Sequence, residues 1–94
     1  MFVLNVDLDV KSGSEKSLEN IFGTVFVPAI SKQEGFSSTQ LLRPREFGAA
    51  YRLVIQFQSQ NLQQKWVAQS LHQEVWPQME SNFNKYSVHN YDSV

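Results

Sequence analysis

Cysteine is absent from the 94 residues, which removes thiol nucleophiles, cysteine-based zinc sites and disulfide staples together and fits a reducing compartment. An excess of charge of one sign is missing too. Eight basic residues face nine acidic ones, and only Arg43 and Arg45 sit close together. No stripe is available to follow a phosphate backbone, so nucleic acid is not an expected partner. The longest apolar run, Val25 to Ile30, contains a proline and is far too short to span a bilayer. Met1 opens directly into strand-like residues, leaving no room for a signal peptide, so the expectation is a cytoplasmic protein that does not enter membranes. Also lacking are a glycine-rich phosphate loop, a G-x-S-x-G elbow, an H-E-x-x-H pair and paired-cysteine spacing. Kinase, hydrolase and metalloprotease chemistry therefore have no starting point, and neither a metal nor a cofactor is expected.

What the chain does contain is one pattern written twice. An alternating run from Phe2 to Val10 leads into a helical stretch with Pro28 near its end, then into an extended run from Phe36. A second alternating run from Tyr51 to Gln58 leads into a helical stretch holding Pro77, then into an extended run from Lys85 to Tyr91. A shift of 49 positions carries Phe2 onto Tyr51 and Pro28 onto Pro77. A repeated strand-helix-strand unit predicts a single α+β domain over 1–94, with a four-stranded antiparallel sheet and both helices on one face.

In the first strand Phe2, Leu4, Val6, Leu8 and Val10 take the even positions while Asn5, Asp7 and Asp9 take odd ones. Such a period of two marks a strand lying on a core. Ser12 and Glu15 have capping-box spacing, so a helix is expected from near Ser14, with Leu18, Ile21, Phe22, Val25 and Ala29 along one face. Pro28 should kink that helix or end its regular part. Phe36 to Arg43 reads as a more polar strand stopped by Pro44, and the segment from Arg45 to Ala50 as a hairpin loop. In the third strand Tyr51, Leu53, Ile55 and Phe57 alternate with Arg52, Gln56 and Gln58. Asn61 is the expected cap of a second helix whose apolar line runs through Leu62, Trp66, Leu71 and Val75.

If the apolar rows face the helices, Asn5, Asp7, Arg52, Val54 and Gln56 share the opposite sheet face. Asp7 and Arg52 are placed to pair across neighbouring strands. A 94-residue chain buries only about 60 to 65% of its unfolded surface, and a sheet covered on one side leaves the other bare. Pairing of two such faces is the natural completion, so a homodimer is expected. Inside it the polar row would need partners or a ligand, since unpaired buried polar groups cost about 1 to 3 kcal/mol each.

The stretch Gly35-Phe36, then Gln40-Leu41-Leu42-Arg43-Pro44, then Tyr51 to Phe57, then Trp66 with Trp76-Pro77 beyond it, resembles the antibiotic biosynthesis monooxygenase family. The resemblance implies a ferredoxin-like βαββαβ monomer that pairs into a dimeric α/β barrel, with a pocket between sheet and helices. It also implies oxidation of a small hydrophobic or aromatic, polyketide-like molecule by dioxygen without metal or flavin. Asn5 and Trp66 match the family's asparagine on the first strand and tryptophan on the second helix, which bind and polarise substrate. Arg52, Gln56 and His89 are further candidates for substrate contact.

Haem-degrading relatives carry an iron-binding histidine beyond that tryptophan, where this chain reads Glu74-Val75-Trp76. His72 lies earlier, six residues or about 600° of helical rotation from Trp66, so the two side chains are expected on different sides of the helix. It is therefore read as a surface or rim residue, and haem is disfavoured. His89 has no orienting carboxylate visible in the sequence, and the ten glutamines read as polar surface. The rival to an enzyme is a non-catalytic dimeric barrel that binds a small ligand or serves a structural role.

Overall fold

The computed structural model describes residues 1–94. β1 (Phe2–Val10) leads into a continuous helical rod of α1 (Glu15–Ile21), a π-helical segment (Phe22–Phe26) and α2 (Val27–Ile30). β2 (Phe36–Leu42), β3 (Tyr51–Phe57), α3 (Gln60–Val67), α4 (Ser70–Glu80) and β4 (Phe83–Asp92) follow. The strands form one antiparallel sheet in the order β2-β3-β1-β4. This is the ferredoxin-like α+β arrangement that the repeated unit predicts, with the helices on one face.

Alternation decides which face is which. Val6 and Leu8 of β1 and Tyr51, Leu53, Ile55 and Phe57 of β3 are buried with Leu18, Phe26, Ile30, Trp66, Val75 and Met79 in one core. The intervening residues point the other way. Asn5 is paired in register with Val54 on one side and His89 on the other, and Asp7 with Arg52 and Ser87. β4 is exposed beyond Phe83, because the helices lie mainly over the other three strands. Tyr86 and Val88 are 42% and 50% exposed even on the helix side.

The helices depart from expectation at their caps and in the second helical stretch. Ahead of Pro28 the regular helix gives way to the π-helical segment, where the Val27 N–H donates to the Phe22 carbonyl five residues back, and the helix ends at Ile30, two residues beyond the proline. The Thr24 hydroxyl donates to the Asn20 carbonyl at 2.8 Å in the same stretch. Ser12 is not the cap of this rod. Ser14 holds that position, and the Glu15 carboxylate accepts the Gly13 N–H at 3.0 Å.

The second helical stretch is two helices, not one. Ser59, rather than Asn61, caps α3 by accepting the Leu62 N–H at 3.3 Å. The chain turns at Ala68 and Gln69 before α4, and the Gln73 side-chain amide donates to the Val67 carbonyl across the corner at 3.0 Å. No helix is long and apolar enough to cross a membrane.

Candidate functional site

Where β4 runs uncovered beside the corner between α3 and α4, a cavity of about 340 Å³ opens. Its floor is sheet: Leu4 and Val6 from β1, Ile55 from β3, and Tyr86, Val88 and Asn90 from β4. Its wall is helical. α3 contributes Gln60, Gln63, Gln64, Trp66 and Val67, α4 contributes His72 and Trp76, and Phe26 closes the deep end. Three roomier clefts, of about 480, 470 and 430 Å³, are lined mainly by polar residues at the chain ends and around the 43–50 loop. The 340 Å³ space is the one whose walls suit a small apolar molecule with a few polar groups to orient it.

Aromatic rings make most of that wall. Trp76 is their hub: its ring lies 6.4 Å from Phe26, 5.8 Å from Phe83, 5.6 Å from Tyr86 and 6.1 Å from His72, the last nearly parallel at 14°. Trp66 is almost fully buried, yet borders the cavity and meets His72 edge to face at 5.1 Å. Of the two places expected for His72, surface or rim, that contact selects the rim of the cavity. The angular separation holds only along an unbroken helix, and the corner at Ala68-Gln69 swings α4 so that His72 returns to Trp66. His72 Nδ1 is buried with no hydrogen-bond partner. Burial also pushes the imidazole pKa below its ordinary value of 6.5.

Of the residues expected to act on or bind a substrate, Trp66 alone borders the cavity. Asn5, Arg52, Gln56 and His89 stand together on the opposite sheet face, so Asn5 and Trp66 do not meet within one subunit. Leu4, one residue earlier, takes the cavity side. On the bare face Asp7 is the centre: Arg52 Nε donates to its Oδ1 at 3.0 Å, the cross-strand pair expected, and His89 Nε2 lies 3.7 Å from its Oδ2. His89 thus has the carboxylate neighbour that linear sequence hides, and its Nε2 also lies 3.4 Å from the Ser87 hydroxyl.

Trp76, Tyr86, Asn90, His72 and the three glutamines are the site residues that sequence reasoning misses. Gln60, Gln63, Gln64 and Val67 fall at i, i+3, i+4 and i+7, the spacing of one helix face, and that signal is present in the sequence. The strongest charge pairing lies away from the cavity. Glu19 of α1 accepts hydrogen bonds from Arg43 Nε at 2.8 Å and the Tyr51 hydroxyl at 2.7 Å, and it also pairs with the Arg43 terminal nitrogen. A small cleft, of about 210 Å³, lies there, lined by Glu19, Phe22, Leu41, Arg43 and Tyr51.

A family model for antibiotic biosynthesis monooxygenases matches residues 1–77. Among solved structures, SnoaB, a cofactor-independent oxygenase from Streptomyces nogalater, superposes with a TM-score of 0.86 at 15% identity, covering 98% of this chain and 91% of that one. A conserved protein from Methanosarcina mazei gives 0.82 at 12% identity, covering 100% and 94%. A heme-degrading protein from Mycobacterium tuberculosis gives 0.73 at 23% identity, covering 100% and 95%. Likeness at these identities is likeness of fold. No curated protein matches the sequence.

Proposed function

The chain belongs to the antibiotic biosynthesis monooxygenase family, and from that premise we propose that it is a cytoplasmic, homodimeric monooxygenase that oxidises a small planar aromatic molecule with dioxygen, without a resident cofactor. The observation that supports this reading most is the aromatic cavity beside Trp66, where Trp76 and Tyr86 can face flat rings and Gln63, Gln64 and Asn90 can hydrogen-bond ring substituents. Such a substrate carries an acidic C–H next to a conjugated carbonyl. Loss of that proton leaves a carbanion whose electron pair reduces dioxygen: a CH2 group and O2 become a C=O group and water, so atoms and electrons balance without another reductant. The protein supplies desolvation and hydrogen bonds to the enolate oxygen. Trp66 contributes a wall and an N–H. Asn5, Arg52, Gln56 and His89 lie across the sheet from this cavity, so in this reading they serve the meeting of two subunits rather than the substrate.

Haem has one observation in its favour, since His72 reaches the cavity and the angular objection falls away. A volume of about 340 Å³ stands at the low end for small-ligand pockets, which run to roughly 1,000 Å³, and suits a molecule smaller than a porphyrin. Oxygen uptake with anthrone, a tricyclic ketone with an acidic CH2, tests the proposal. The expected result is one O2 consumed per anthrone converted to the quinone, with Trp66→Phe slowing turnover about a hundredfold. Binding of anthrone without catalysed uptake would favour the non-catalytic barrel, and a Soret band on haemin titration would favour the porphyrin.

A further inference from the structure

His72 has two ring nitrogens in different surroundings. Nδ1 is the single buried side-chain nitrogen or oxygen without a hydrogen-bond partner, while Nε2 forms no bond within the protein and is not sealed off. The ring borders the cavity, and Nε2 is the nitrogen left accessible. A sealed N–H with no acceptor is rarer than a sealed lone pair with no donor. Proton placement follows: Nδ1 keeps its lone pair and Nε2 carries the hydrogen. The ring also sits in the first turn of α4, whose N-terminal partial positive charge disfavours an imidazolium. Burial acts in the same direction. Trp66 closes one side of the ring and Trp76 stacks on another, which holds its orientation.

We propose that His72 is held as a neutral imidazole and that its Nε2–H, with the indole N–H of Trp66, whose ring centre lies 5.1 Å away, donates into the cavity to the substrate oxygen on which negative charge develops. His72 neither gives nor takes a proton in this role. It acts as a fixed dipole aimed at an enolate or phenolate oxygen, the arrangement in which preorganised donors lower a barrier most. The role rests on the cavity being the place of reaction. It also adds a feature to the substrate class: an oxygen conjugated with the ring system and within reach of both donors.

The test uses 4-nitrophenolate and nitrobenzene as a charged and a neutral probe of similar shape, with binding read by quenching of tryptophan fluorescence, alongside nitrogen-15 NMR of His72. The wild-type protein should bind the phenolate more tightly than nitrobenzene. His72→Phe should weaken the phenolate about tenfold while leaving nitrobenzene unchanged, and His72→Gln, which keeps an N–H donor, should restore much of the loss. The NMR spectrum should show hydrogen on Nε2 and no protonation as pH falls through about 6.5. Hydrogen on Nδ1, titration at the ordinary histidine value, or equal binding of both probes by wild type and His72→Phe would overturn the role alone. Failure of both probes to bind the wild-type protein would overturn the aromatic-cavity reading and the role with it.

Discussion

At Glu19 one carboxylate receives Arg43 on both oxygens and the Tyr51 hydroxyl on one, and these donors, Arg43 first and Tyr51 second, hold its pKa down to about 2. A carboxyl group with an ordinary pKa of 4.5 and a lower one when folded binds fewer protons in the folded state. The stability it lends is complete above pH 4.5 and drains away as pH falls toward about 2. Glu19→Gln should lower the denaturation midpoint at neutral pH and flatten its decline across that acid window, as urea titrations near pH 7 and near pH 3 would show. Trp66 can be picked out in the sequence because a large ring in an amphipathic helix has few other roles. His72 and Trp76 cannot, because their place in the cavity depends on a corner at Ala68-Gln69, two residues with no strong breaker chemistry. Polarity alone sends the glutamines to solvent, and it cannot distinguish a wet surface from the wall of a cavity.

Among the elements, the seat of α3 is the tightest joint. Gly35, just before β2, has φ +79° and lies so close to α3 that an added Cβ would clash with the Leu62 side chain. Its carbonyl accepts the Gln58 N–H at 2.8 Å, and Lys65 reaches Glu34 at 2.8 Å across the same joint. Gly35→Ala should therefore destabilise the fold by about 2 kcal/mol, part from the backbone conformation and part from displacing Leu62. A thermal melt and the loss of tryptophan quenching by the cavity ligand would check it, because α3 carries Trp66. Strand faces are legible because β1 and β3 each bury one row, and period two leaves no freedom about which. Helix interiors are less so. A π-helical segment precedes Pro28, and a local serine at position 59 competes successfully with Asn61 for the cap.

For the molecule as a whole, the unfinished part is the bare sheet face. Val54 stands half-buried among Asn5, Gln40 and the Asp7–Arg52 pair, a mixture suited to meeting a second copy of itself. Native mass spectrometry should show a dimer, and Val54→Lys should shift it toward monomer while leaving the cavity, on the other side of the sheet, able to bind. A monomeric wild-type protein would remove the barrel. The duplication of the chain carries one more consequence. Two like halves generate two like crevices, one between the second helical unit and β4, the other between the first helical unit and β2. The first stays open as the cavity; in the second, reduced to about 210 Å³, Glu19, Arg43 and Tyr51 are tied together. Asymmetry of function in this nearly symmetric body thus comes down to a knot of three side chains, and cutting it would leave a vestigial twin of the cavity ajar.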